Sequence, residues 1–258
     1  MRLLVCFFLL SQLAFAAPKH KVILGVFAHP DDEIMVGAVL ARYAKQGVDV
    51  YIAYATDGQR GAKPFSGIPN GEQLGKARRE EAVCASQRLG AKSPIFFGLM
   101  DGDLGAMTSP IGKNTEAAVD QVKQLLDRLH PDAIVTWGPD GGYGHPDHRL
   151  VSDAVTQAVQ ASPEPYRLLY VELEANSLKK NAKGFLKEFY GTEARYLTVR
   201  VPYTPADLKI ANDSFQCHAS QYTPEERQED MGFLDLVYQG RITFRPWFGD
   251  QKSDSLFY

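Results

Sequence analysis

Two short stretches hold the side chains able to do chemistry. The first, Ala28-His29-Pro30-Asp31-Asp32-Glu33, crowds one histidine and three carboxylates together. The second, His145-Pro146-Asp147-His148, carries two of the chain's six histidines. His29 and Asp32 lie three apart with Pro30 stiffening the bend, so both side chains can face one point while Asp31 is free for another task. His29, Asp32 and one of His145 or His148 would give three protein ligands and an open position, as catalytic zinc is held. Two histidines and a carboxylate also suit ferrous iron. A metal of this kind lowers the pKa of its bound water to about 7, so the chemistry is hydrolysis. Amide hydrolysis also needs charge stabilisation on the tetrahedral oxyanion and a proton for the leaving amine. Carboxylates also cap helix N-termini. One would suffice for that, and a cap leaves the histidines without a role.

The elements around these stretches must bring them together. Val22 to Phe27 reads as a buried strand, and a helix-like stretch from Ile34 to Ala44 follows the first cluster. The second cluster follows an apolar run, Ala133 to Trp137, and a glycine-heavy loop, Gly138 to Gly144. After it comes a helix with Leu150, Ala154 and Ala158 on one line and Val151, Val155 and Val159 on the next. In an open parallel sheet such turns lie at the carboxyl edge of the strands, where these folds put their ligands. If the two strands are neighbours, both clusters open at the same place.

Elsewhere, strands are expected over Val48 to Thr56, Pro94 to Phe97, Tyr166 to Leu173 and Tyr196 to Val201. Helical spacing runs from Leu74 to Leu89, closed by Gly90, and from Ala118 to Leu129. Thr204-Pro205-Ala206-Asp207 and Thr223-Pro224-Glu225-Glu226 each open a helix with a Thr cap and a Pro at its first position. Gln59 to Gly71 is a Gly- and Pro-containing surface loop long enough to act as a lid. Alternating strands and helices predict an α/β fold with a mostly parallel sheet covered on both faces.

Met1 to Ala17 has a short basic start, an apolar run and a small-x-small site, Ala14-Phe15-Ala16. That is the pattern of a secretory signal peptide, residues 1–16, leaving one domain over 17–258 with no transmembrane segment after cleavage. The expected location is therefore secreted or periplasmic. Net charge is −3 with no long run of either sign, which argues against nucleic acid as a partner. Cys84 and Cys217 remain after cleavage, either paired or as two buried thiols. No Gly-x-Gly-x-x-Gly follows the first strand, so no nucleotide cofactor is expected.

Ala28-His29-Pro30-Asp31-Asp32-Glu33 together with Tyr143-Gly144-His145-Pro146-Asp147-His148 resembles the two motifs of the PIG-L/LmbE family. Thr56-Asp57-Gly58, Arg78 with Glu81, and His218-x-Ser220-Gln221 extend the likeness over most of the mature chain. The resemblance implies a Rossmann-like fold and a zinc-dependent deacetylase that hydrolyses the N-acetyl group of N-acetylglucosamine conjugates. It implies His29, Asp32 and His148 as metal ligands, Asp31 as general base and His145 as transition-state stabiliser, roles that the chemistry supports with Asp31 taking the water proton and a protonated His145 joining the metal at the oxyanion. It also implies Tyr143 as a mobile active-site tyrosine, with Arg78 and Asp101 around the sugar. Read as residues alone, Arg78 and Glu81 would equally make a surface i,i+3 ion pair, and His218 a helix C-cap.

These readings converge on a secreted metal-dependent hydrolase of N-acetylglucosamine-containing saccharides. An amidase acting on another small amide is the neighbouring possibility, and an inactive carbohydrate-binding relative the more distant one.

Overall fold

A computed structural model describes residues 20–105, 113–229 and 232–258. The expected signal peptide lies outside the described residues. Six consecutive buried residues form β1 (Val22–Phe27). A 3-10 helix over Asp32–Met35 then leads into α1 (Gly37–Lys45). The helix expected from Ile34 is thus two pieces, because the backbone leaves helical geometry at Val36 (φ −126°, ψ 2°). The chain continues through β2 (Asp49–Thr56), α2 (Glu72–Leu89), β3 (Ile95–Leu99), α3 (Lys113–Leu129) and β4 (Ala133–Trp137). Next come α4 (Pro146–Gln160), β5 (Leu168–Val171), α5 (Ala175–Asn181), β6 (Val199–Pro202) and α6 (Pro205–Phe215). It ends with α7 (Pro224–Gln228), α8 (Gly232–Tyr238) and β7 (Arg241–Pro246). Both expected Thr caps form full capping boxes, Thr204 with Asp207 and Thr223 with Glu226.

The strands form one sheet in the order β3-β2-β1-β4-β5-β7-β6. The pairs from β3 through β5 are parallel, while β7 runs antiparallel to both β5 and β6. This is the mostly parallel α/β sheet the alternation predicts, with one strand, β7, that the sequence reading did not separate from its surroundings. Strand order reverses at β1, which pairs with β4 through Ile23↔Ala133, Leu24↔Ile134 and Gly25↔Val135. Both motif-bearing strands therefore meet at the topological switch point, where the carboxyl ends of neighbouring strands splay into a crevice.

Side chains of β1 alternate between the faces. Ile23 and Phe27 join a core with residues of α1, α2, α6 and α8. Leu24 and Val26 join a second core with Val122 and Leu126 of α3 and Val151 and Val155 of α4. Burial on both sides explains why β1 reads as a continuous apolar run. Cys84 of α2 and Cys217, just after α6, form a disulfide with Cα atoms 5.9 Å apart. No described helix is long and apolar enough to cross a membrane.

Candidate active site

The turn after β1 is built around the Asp32 carboxylate. Its Oδ2 accepts the backbone N–H of Ala28 (2.9 Å) and of His29 (3.0 Å) and the indole N–H of Trp137 (3.0 Å). Oδ1 remains to meet Nε2 of His148 at 3.2 Å. Burial pushes the Asp32 pKa up, but His148 and His29 outweigh it and hold it well below the usual carboxylate range.

His29 Nε2 points at two carboxylates, Asp101 Oδ1 at 3.1 Å and Asp147 Oδ2 at 3.3 Å. Its Nδ1 lies 3.3 Å from His148 Nε2 and 3.8 Å from Asp32 Oδ2. Burial disfavours the imidazolium, yet the bonds from Asp101, Asp147 and Asp32 hold the His29 pKa well above its ordinary value. Burial likewise works against the Asp101 carboxylate, and the His29 contact still brings its pKa down to about 2.

His148 donates Nδ1–H to the carbonyl of Gly141 (3.2 Å) and stacks on Trp137 at 4.4 Å. That leaves its Nε2 lone pair facing inward. His145 caps α4 by accepting the Asp147 N–H on Nδ1 (3.2 Å), with Pro146 at the first helical position. Burial, then the neighbouring His148 and His29, lower its pKa to about 4. The lowered pKa and the cap bond favour a neutral ring over the protonated His145 expected from the sequence. An imidazolium would give up its cap bond, whereas the neutral ring keeps that bond and has Nε2–H to donate.

The atoms of His29, Asp32 and His148 fit a metal by separation and chemistry. Ligand atoms of a tetrahedral zinc sit about 3.3 Å apart, and His148 Nε2 lies 3.2 Å from Asp32 Oδ1 and 3.3 Å from His29 Nδ1, while the 3.8 Å from His29 Nδ1 is to the other oxygen, Asp32 Oδ2. Among the described residues, two groups have ligand atoms within 4.8 Å of one another, His29, His145 and His148, and His29, Asp101 and Asp147, and the expected set with Asp32 is not one of them. The hydrogen bonds separate their roles. His145 Nδ1 is committed to its cap, and Asp101 and Asp147 sit on the far nitrogen of His29 as the outer partners that orient a metal-ligating histidine.

Asp31 holds a left-handed backbone conformation (φ 104°, ψ −19°), which costs a non-glycine residue about 1–3 kcal/mol. Its Oδ1 accepts Nη2 of Arg78 at 3.0 Å. Burial raises the Asp31 pKa, opposed by Arg78 and reinforced by Asp32. Arg78 is not in a surface pair with Glu81. Its guanidinium is buried and also donates to the carbonyls of Pro30 and Gly58, while Glu81 takes the N–H and hydroxyl of Ser220 at 2.7 and 2.8 Å. This explains Gly58, where φ is +66° and a Cβ would come within 2.0 Å of Arg78 Nη1.

A cleft of about 400 Å³ opens over these groups. Asp31, Asp32, His29, His145, His148, Tyr143, Arg78 and Asp101 all line it. The loop over residues 59–71 contributes Gly61 and Lys63, and a 3-10 helix (Gly184–Glu188) with Phe189 supplies a wall that sequence reasoning missed. The half-exposed Tyr143 ring packs against Phe189 and His148 at 5.6 and 5.4 Å, and burial pushes its phenol pKa up. Also missed were Asp147, visible in hindsight as a carboxylate between two histidines, and Trp137, the last residue of β4. His218 is no C-cap: its Nε2 meets Glu33 Oε1 at 2.6 Å, wholly buried.

Comparison with known proteins agrees. A deacetylase of Corynebacterium glutamicum (strain R), named for 1D-myo-inositol 2-acetamido-2-deoxy-alpha-D-glucopyranoside, is 39% identical over 176 residues, 63% of this chain. The chain spans only 59% of that relative's length. A protein of the same name from Mycobacteroides abscessus is 28% identical over 239 residues, 82% of this chain and 85% of the relative. Among solved structures, the N,N'-diacetylchitobiose deacetylase from Pyrococcus horikoshii shares the fold, with a TM-score of 0.63, 19% identity and coverage of 88% of this chain and 83% of that one. The sequence model described as PIG-L: GlcNAc-PI de-N-acetylase matches residues 24–159. With more than half of its length inside that match, the chain belongs to the PIG-L family.

Proposed function

We propose that this protein is a metal-dependent N-deacetylase that hydrolyses the N-acetyl group of an N-acetylglucosamine-containing saccharide outside the cytoplasm. One observation carries the reading. Asp32 Oδ1 and His29 Nδ1 both lie within 3.3 Å of His148 Nε2, and Asp31 lines the same cleft on a left-handed backbone. The names of the two relatives, both deacetylases of a 2-acetamido-2-deoxy-glucopyranoside, support the substrate class. His29, Asp32 and His148 would hold zinc, with ferrous iron the alternative for the same donors. Bound there, the ion would act as a Lewis acid on the acetyl carbonyl and make water a stronger acid.

The chain's own residues divide the remaining work. The Asp31 carboxylate takes a proton from the attacking water, and its burial raises its basicity for that step. Neutral His145 donates Nε2–H to the oxyanion of the tetrahedral intermediate. Tyr143, its phenol kept protonated by burial, is a second donor at the rim. Asp31 then returns the proton to the sugar nitrogen as the C–N bond breaks and acetate leaves. Arg78 fixes the Asp31 carboxylate, and Asp101 fixes His29. Both also line the cleft, where sugar hydroxyls would reach them.

The export reading, a signal peptide over residues 1–16 and one domain over 17–258, has two supports. One is the sequence pattern of Met1 to Ala17, and the other is the Cys84–Cys217 disulfide, a bond of oxidising compartments. The test of the function is acetate release from N-acetylglucosamine, its oligomers, inositol conjugates and peptidoglycan fragments. The assay is run after chelation and again after adding back zinc or ferrous ion. Release that needs the metal is expected. Release unaffected by a chelator, or none from any saccharide, would overturn the proposal.

A further inference from the structure

Glu33 closes the first motif, yet it does not line the cleft, and neither do its partners His218 and Tyr54. All three are buried to 1% exposure or less. A carboxylate sealed beneath the site needs its oxygens satisfied, and here one of the bonds comes from Asp31 itself. Glu33 Oε2 accepts the Asp31 N–H at 3.0 Å and the Tyr54 hydroxyl at 2.8 Å. Glu33 Oε1 takes Nε2 of His218 at 2.6 Å.

The Asp31 backbone is in the left-handed region, a conformation that persists in a non-glycine residue only when its surroundings enforce it. The bond from its own N–H to Glu33 enforces it, beside the Ile34 N–H on the Asp31 carbonyl. Tyr54 holds Glu33 from β2, and His218 holds it from the turn after α6. That turn is tied to α2 by the Cys84–Cys217 disulfide and by Glu81 on Ser220. α2 also carries Arg78, whose Nη2 holds the Asp31 carboxylate at 3.0 Å. The backbone and side chain of Asp31 are thus gripped by two elements that are themselves cross-linked.

We infer that Glu33 and His218 are a positioning pair that holds Asp31 in its outward conformation and so sets its rate as a base. This rests on the reading of Asp31 as general base. Neither member touches the substrate.

The test compares Glu33→Ala, Glu33→Gln and His218→Ala with Leu126→Ala, a truncation in the core on the other face of the sheet. Each is assayed below its own melting temperature for kcat, KM, metal content and amide hydrogen exchange at Asp31. A misplaced reacting group costs up to about 100-fold, so Glu33→Ala is expected to lose about 10- to 100-fold in kcat with KM nearly unchanged. It should keep its metal and exchange the Asp31 amide faster. Glu33→Gln, which retains an oxygen for that N–H, should recover most of the loss, and Leu126→Ala should melt earlier with kcat intact. Where Glu33→Ala fails to fold, Tyr54→Phe removes one bond to the same oxygen and should show the same pattern, smaller. Wild-type kcat with unchanged exchange at Asp31 would overturn the pair's role, and so would loss of metal, which would place Glu33 behind Asp32 instead. Should the wild type release no acetate from any saccharide, the proposed function fails, and exchange at Asp31 still decides the inference.

Discussion

After β1 the chain turns through His29-Pro30-Asp31-Asp32, and after β4 it turns through His145-Pro146-Asp147-His148. The first turn uses a left-handed residue and a 3-10 helix, with N–H groups of Ala28 and His29 folded back onto Asp32. The second runs straight into a regular α-helix, with His145 as its cap and Pro146 at its first position. The difference lies in what each must aim. Successive carboxylates Asp31 and Asp32 have to point different ways, one to Arg78 and one to His148, and a regular helix start would fan them by a fixed step. His145 and His148, three apart on a helix start, fall on one face and stack at 4.6 Å. The first turn therefore strains its backbone to separate two acids, while the second uses ordinary helix geometry to stack two imidazoles.

That contrast is broken most severely at Asp31. Asp31→Asn should keep fold and metal but lose turnover by about 10²- to 10⁴-fold, the worth of a positioned general base. Activity should rise with pH through the raised Asp31 pKa, since the carboxylate is the working form. An Asn variant with reduced metal content would instead make Asp31 a ligand and dissolve the separation of the two acids.

His145→Ala acts on the other turn and should cost less, about 10²- to 10³-fold for the loss of one oxyanion donor. With its pKa lowered to about 4, His145 is neutral around pH 7. Whatever alkaline limb the wild-type pH profile shows should therefore survive in His145→Ala. A limb that vanishes would show that the imidazolium is the working form after all.

Much of this site was legible because its residues are local. His29 to Glu33 and His145 to His148 are contiguous, their strands are apolar throughout, and β1 and β4 do lie side by side. What stayed hidden depends on contacts distant in the chain. Glu33 meets His218 across 185 residues, and Cys84 meets Cys217 across 133. No local pattern distinguishes a buried Arg78 reaching Asp31 from an exposed one facing Glu81. β7 was missed for a related reason: it is sequentially last but inserts between β5 and β6, so only the assembled sheet reveals it.

Asp147 is the point where the two turns stop being separable. It belongs to the second, where the His145 ring caps its N–H, yet its Oδ2 sits 3.3 Å from Nε2 of His29 in the first and also accepts the N–H of Gly102 at 2.7 Å. Asp101 shares the same nitrogen of His29, so removing the Asp147 charge weakens the orientation of that ring without abolishing it. Outer partners of this kind are worth about 10- to 100-fold in metal affinity or activity, and Asp147→Asn should fall in that range, below the effects at Asp31 and His145. The free site also holds a proton on His29 well above the ordinary histidine pKa, which a metal must displace. Metal affinity should therefore drop as pH falls, for wild type and variant alike. Titrating the apo-proteins with zinc across a range of pH reads both effects together. If Asp147→Asn binds zinc as tightly as wild type and turns over at the same rate, the second turn carries no control over the first, and the two act as independent halves of one cleft.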